Sequence, residues 1–78
     1  MRLTYDPKAN VAYIRLRDTQ GHVETIRITG EFLVDIDQTG VVCGIELLNA
    51  NEQLKDSDDG RFVFVNPFSG EELELKVA

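Results

Sequence analysis

The sequence has very few of the residues that build metal and redox sites. It contains one cysteine, one histidine and no tryptophan in 78 residues. One cysteine cannot close a disulfide within the chain, and one histidine with one cysteine is too few for the usual zinc sites. Basic residues are also scarce, since eight Lys and Arg stand against 14 Asp and Glu, for a net charge of −6. Nucleic-acid binding needs cations that displace phosphate counterions, so we expect no nucleic-acid partner.

Long apolar stretches are absent too. No run is long enough to cross a bilayer, and the N-terminal MRLTYDPKA lacks the apolar region of a signal peptide. These absences predict a cytoplasmic protein without a membrane partner. The content of 42% apolar and 28% charged residues is typical of a folded domain. The length allows one domain, 1–78, with a thin core, and because a second copy would add buried surface, we expect a homodimer.

Apolar and polar residues alternate with period two along most of the chain, which predicts half-buried strands. Five strands are expected by residue 48, each joined to the next by a short loop that contains Asp-Pro or Gly. Residues 49–60 are polar and predict a loop, with a single helical turn near 51–55. No internal repeat is evident.

The C-terminal segment, 60–78, predicts a hairpin. Phe62 to Val65 is the first of its strands, and the Glu/Leu alternation of 71–77 favours a second. Ser69 and Glu72 could instead form a capping box that opens a short helix. The predicted fold is all-β, a mainly antiparallel meander of six to seven short strands, either as a small barrel or as a two-layer sheet, with an exposed edge used in dimer formation.

The stretch LVDIDQTGVVCGIELL, residues 33–48, has acids and Gly40 at the spacing of an EF-hand loop. Strand-like flanks argue against an EF-hand, which needs a helix on each side. Alignment of Phe32, Val34 and Ile36 with 43, 45 and 47 as one apolar face puts the acids on the other face. Two interpretations stay open: a solvated polar face, or a surface site for a divalent cation. The carboxylates concerned are Asp35, Asp37 and Glu46.

The same parity places basic side chains on the outer face of the first three strands, beside an aromatic residue. Such a stripe can bind phosphate or nucleic acid, but the simpler interpretation is a diagonal ion pair between Arg27 and Asp35. The stripe consists of Arg2, Tyr13, Arg15, Arg17 and Arg27.

The motifs YDPKANVAYIRL and LVDIDQTGVVCGIELL resemble the bacterial domain-of-unknown-function family 2283. The resemblance covers residues 1–48, a family-like core, and leaves 60–78 as a C-terminal extension. It implies no catalytic residues, and it hints at protein binding, since such small proteins sometimes resemble the partner half of toxin–antitoxin-like pairs. Asn10 stands where the family often has Asp. The matching residues are Tyr5, Asp6, Pro7, Ala9, Tyr13, Ile14, Asp35, Asp37, Gly40, Gly44, Ile45 and Glu46.

The sequence offers no readable catalytic set. Cys43 lies on the predicted core face, where a thiol is an inert apolar group, and His22 lies in a predicted loop. We therefore expect no enzyme, no cofactor and no small-molecule substrate. The leading hypothesis is a non-enzymatic protein–protein interaction module, as a homodimer, with another partner, or antitoxin-like. The alternative is the cation-binding domain.

Overall fold

The computed structural model describes residues 1–55 and 58–76 and confirms the all-β class. The helical turn expected near 51–55 is a six-residue helix, and 71–76 is a strand. Residue 77, the last of the predicted seventh strand, lies outside the described residues. In chain order the elements are β1 (Arg2–Asp6), β2 (Val11–Arg15), β3 (Val23–Thr29), β4 (Phe32–Asp37), β5 (Val42–Leu48), α1 (Ala50–Lys55), a 3-10 turn (Asp58–Gly60), β6 (Arg61–Asn66) and β7 (Glu71–Lys76).

The described strands form two separate sheets. Of the two predicted architectures, the structure agrees with the two-layer sheet and not with the small barrel. Five strands make one antiparallel sheet in the order β1-β2-β5-β4-β3, and β6 pairs with β7 in a second sheet. The order departs from a simple meander at one place, because β2 pairs with β5 and not with β3. The connection 16–22 is long enough to cross the intervening strands, which lie about 4.8 Å apart. Hydrogen bonds from Leu16 N to Cys43 O (2.9 Å) and from Gln38 N to Gln20 O (3.4 Å) fix its path.

The register of the five-stranded sheet confirms the predicted apolar face over most of its length. Ile45 lies opposite Val34 on one side and opposite Ile14 on the other, and Leu47 lies opposite Phe32. Side chains at alternate positions share a face, so these groups form one apolar surface. We call it the sheet face. The predicted pairing of Ile36 with Cys43 is wrong, because the register shifts after Asp35 and places Ile36 opposite Val42.

The core within one chain is thin. In the described part of the chain, the fully buried apolar residues are all small: Ala12, Cys43 and Ala50. The larger apolar side chains of the sheet face keep part of their surface exposed. A protein of this length is expected to bury a modest share of its surface. Here none of the described large apolar side chains is fully buried.

The hairpins β1–β2 and β6–β7 close with the same kind of turn, and the Asp-Pro turn expected between β1 and β2 is confirmed. In each, a carboxylate or amide oxygen before proline, from Asp6 or Asn66, accepts hydrogen bonds from the backbone N–H groups two and three residues on. Each turn ends in a left-handed residue, Asn10 (φ 59°) or Gly70 (φ 77°). Glycine and asparagine tolerate that conformation best, so the two loops close alike although their strands differ.

Helix α1 is fixed to one end of the five-stranded sheet. Asn51 N donates to Asn10 Oδ1 (2.7 Å), and Gln53 Nε2 donates to Leu48 O (2.6 Å). The β6–β7 hairpin contacts the rest of the chain mainly through α1 and the 3-10 turn. In the described residues no helix has the length and apolar character needed to cross a membrane.

Candidate functional site

A three-residue hydrogen-bond network lies on the outer face of the five-stranded sheet, opposite the sheet face. Tyr13 on β2 donates from its hydroxyl to Asp35 Oδ2 on β4 at 2.8 Å. Thr25 on β3 donates to the other oxygen, Asp35 Oδ1, at 2.7 Å. The network therefore ties three strands together across β5, and both carboxylate oxygens of Asp35 accept a hydrogen bond.

Gly44 on β5 makes the network possible. It lies opposite Arg15 on one side and opposite Asp35 on the other, directly beneath the path from Tyr13 to Asp35. A Cβ built at Gly44 would overlap the Tyr13 hydroxyl and ring. A glycine inside a strand often marks a close approach by another group, and here that group is the tyrosine side chain.

The environment of Tyr13 stabilises its neutral form. Partial burial, followed by the hydrogen bond to Asp35 and the negative charge there, raises the pKa of Tyr13 to about 12. A phenolate at this position would lose its solvation and face a carboxylate. Tyr13 thus acts as a hydrogen-bond donor throughout the physiological range and is not a candidate base.

Asp37 has a structural role that corrects one prediction. The outer face was expected to be solvated, yet Asp37 is only 5% exposed. Its Oδ1 accepts from Thr39 N at 2.9 Å, from the Thr39 hydroxyl and from Val41 N at 3.3 Å. The hydrogen bond from the Thr39 side chain, with those from the two backbone groups, lowers the pKa of Asp37. The turn between β4 and β5 is therefore built around this carboxylate.

The structure places the three predicted cation ligands on the same outer side but gives each separate surroundings. Asp35 accepts from Tyr13 and Thr25, Asp37 closes its own turn, and Glu46 lies opposite Tyr13 and Leu33 in the sheet register. Across residues 1–55 and 58–76, no group of three or more His, Cys, Asp or Glu is arranged to hold a metal ion. The cation site stays a prediction that the structure does not assign.

Most of the basic stripe lies on the outer face, but Arg17 lies past the end of β2 and the predicted ion pair is wrong. Arg27 donates to Gly30 O at 3.0 Å, and Asp35 is occupied by uncharged donors. Arg2 and Arg15 lie directly opposite each other on neighbouring strands, an arrangement of like charges that destabilises a sheet slightly. In the part of the chain that the structure describes, the ion pairs are those of Arg61 with Asp59 and Glu74.

The second candidate surface is the apolar face of the β6–β7 hairpin, which we call the hairpin face. Phe62 lies opposite Leu75 and Phe64 opposite Leu73, so two pairs stack side by side on one surface. Their exposed fractions run from 39% for Phe62 to 63% for Leu73. Phe68, in the turn, is fully exposed. A contiguous exposed patch of large apolar side chains is typical of a binding surface.

The two residues that the sequence analysis considered for catalysis, Cys43 and His22, lie in different surroundings. Cys43 is buried, as predicted, and its thiol donates to Asp35 O at 3.4 Å. His22 is exposed in the connection between β2 and β3. The described residues form no pocket.

These features define a small antiparallel β-protein with a polar network on one face of its main sheet and an exposed apolar hairpin. The chain belongs to the family described as a protein of unknown function, DUF2283, whose model matches residues 2–51. The match ends at the start of α1, so the hairpin face lies outside it. No curated protein and no solved structure matches the chain.

Sequence reasoning found the outer-face residues but missed how they connect. The parity argument placed Tyr13 and Asp35 on one face. The signal that joins them is the register, in which Gly44 lies opposite Asp35 and diagonal to Tyr13. That signal could not be read before β2 was known to pair with β5.

Proposed function

We propose that this chain is a non-enzymatic protein-binding module that docks through the hairpin face. The observation that supports this most strongly is the exposure of Phe62, Phe64, Leu73 and Leu75 on one side of a two-stranded sheet. A two-stranded hairpin alone is marginally stable in water. Covering four large apolar side chains would give it the burial that its own chain does not supply.

The opposite side of the same hairpin has a different character. It carries Arg61, Glu72 and Glu74 together with two valines, and Arg61 pairs with Glu74 at 2.8 Å. A charged, paired side suits contact with water, whereas the hairpin face lacks charge among its four central residues. This asymmetry supports docking through one side only.

The hairpin face also has the composition of an interface centre. Aromatic residues are enriched in the buried core of protein interfaces, and charged residues are depleted there. Two phenylalanines at the middle of a flat strand pair can serve as anchors whose truncation costs a large part of the binding energy. We expect this binding to take place in the cytoplasm.

Photo-crosslinking in living cells tests the proposal. A photoreactive benzoylphenylalanine replaces Phe64 on the hairpin face or, as the matched control, Val65 on the opposite side of the same strand. Irradiation should give protein adducts from position 64 in clear excess over position 65, whether the captured partner is this chain or another protein. Equal or absent adducts at the two positions would contradict the proposed function.

A further inference from the structure

We infer that the partner of the hairpin face is a second copy of this chain, with the hairpin of each copy lying on the sheet face of the other. The inference rests on the proposed function and names its partner. It starts from the fact that one chain exposes two apolar surfaces. The second is the sheet face, which continues on β3 with Ile26, which lies opposite Val34 and is 39% exposed. The register shifts between Arg27 and Thr29, and Ile28, at this shift, is 58% exposed.

The accessible surface area of the chain supports an interface of standard size. The accessible surface is 5660 Å², whereas a compact monomer of this mass is expected to expose about 4,800 Å². The excess of roughly 900 Å² is close to the ~800 Å² that each partner buries in a standard interface. The shape agrees, since the radius of gyration is 13.9 Å and about 11.5 Å is expected for a compact domain of this length.

The same area discriminates between two symmetric arrangements. With about 200 Å² for a large side chain and roughly half of it exposed, the hairpin face offers roughly 400 Å². A dimer formed by two hairpin faces would bury only that amount from each copy. In the reciprocal arrangement each copy loses its hairpin face and a matching area of its sheet face, roughly 800 Å², which accounts for most of the excess.

Reciprocal covering is also compatible with a closed dimer. If the hairpin of one copy lies on the sheet of its partner, a two-fold axis places the partner's hairpin on the first sheet, and assembly stops at two. Each sheet then gains a second layer, and the large side chains that remain part-exposed in one chain become interior. The thin core of the single chain and its projecting hairpin thus have one common explanation.

Crosslink mapping on the purified full chain tests the arrangement. One isotope-labelled and one unlabelled preparation, with benzoylphenylalanine at position 64, are mixed, allowed to exchange and irradiated. Mixed-isotope adducts should map to residues of the sheet face on β3, β4 and β5. Adducts from position 64 to the partner hairpin alone, or a yield equal to that of the position 65 control, would overturn the inference.

Sedimentation of charge-insertion variants gives an independent test. Ile26→Asp should weaken dimerisation roughly thirtyfold or more, as expected for an apolar residue buried in the interface, and Phe64→Asp should do the same. Val65→Asp should change the dissociation constant less than about threefold. Because Ile26 is exposed in the single chain, its variant should keep the circular dichroism spectrum of the wild type. An Ile26→Asp dimer as tight as wild type would overturn the reciprocal arrangement.

The two proposals fail in different ways. If position 64 captures only a different protein in cells and the purified chain sediments as a monomer, the protein-binding function stands and the second copy is wrong. If position 64 captures nothing in cells and the purified chain is monomeric, both are wrong.

Discussion

The effect of Gly44→Ala on the free energy of unfolding should have opposite signs in the wild-type chain and in a chain without Tyr13. A glycine within a strand costs roughly 0.5–1 kcal/mol relative to alanine, so Gly44→Ala would ordinarily stabilise the fold. Here the added Cβ overlaps the Tyr13 hydroxyl and ring. The ring must move, and the hydrogen bond to Asp35 is lost. A hydrogen bond to a charged group contributes about 1.5–3 kcal/mol, and we take the lower end because the site is half-exposed.

The expected net effect of Gly44→Ala is therefore a destabilisation of about 0.5–1 kcal/mol in the wild-type chain. In a Tyr13→Val background, which keeps a residue of high strand propensity at this position, the overlap disappears. The same substitution should then stabilise by about 0.5–1 kcal/mol. The difference between the two backgrounds, about 1.5 kcal/mol, lies in the range measured for directly interacting residues.

Urea unfolding at fixed protein concentration, followed by circular dichroism, measures the four free energies of this cycle. Gly30→Ala is the matched control, because a Cβ there meets no atom within 4 Å, and its effect should be the same in both backgrounds. Gly44 is argued to leave room for the Tyr13 side chain to reach Asp35. If Gly44→Ala shifts stability equally in the wild-type chain and in the Tyr13→Val background, that role is refuted.

Three further predictions concern the carboxylates and the tyrosine. In a Tyr5→Phe variant, ultraviolet titration should give a midpoint of about 12 for Tyr13, and Asp35→Asn should lower it; a midpoint unaffected by Asp35→Asn would contradict the network. Because the folded pKa of Tyr13 exceeds its ordinary value, its contribution to stability is complete below about pH 10 and is lost as the pH rises towards 12. The lowered pKa of Asp37 has the opposite sign: its contribution is present above the ordinary carboxyl pKa and is lost as the pH falls below it. The wild type should therefore lose stability more steeply than Asp37→Asn in acid urea titrations, and parallel curves would contradict the turn assignment. Calorimetry with millimolar calcium or magnesium should give no heat, since both oxygens of Asp35 and one of Asp37 already accept hydrogen bonds; heat that Asp35→Asn abolishes would establish the cation site.

Local pattern predicted the strands and the face of most of their residues, except at the register shifts in β3–β4 and β4–β5. Period-two alternation located the strands, and the parity of Val34 and Ile45 put them on one surface, as the register shows. The partner of β2 was not predictable in the same way. Pairing of Ile14 with Ile45 joins residues far apart in the chain, and nothing in the connection 16–22 specifies which strand it leads to.

The burial of a side chain was harder to predict than the face of the sheet on which it lies. Asp37 was placed on the correct face, but its low exposure comes from a turn that folds back so that Thr39 and Val41 donate to it. On the C-terminal hairpin, alternation separates Phe64 and Leu73 from the charged side, yet alternation cannot say whether a covering layer exists. In the described part of one chain, Phe64 and Leu73 stay more than half exposed.

Light scattering on the purified chain shows directly whether two copies associate, and physiological salt screens repulsion between two chains of net charge −6. We expect a particle of about twice the chain mass of 8.8 kDa, falling towards one chain mass in the Ile26→Asp and Phe64→Asp variants and unchanged in Val65→Asp. A wild-type particle of one chain mass at all concentrations would refute the dimer.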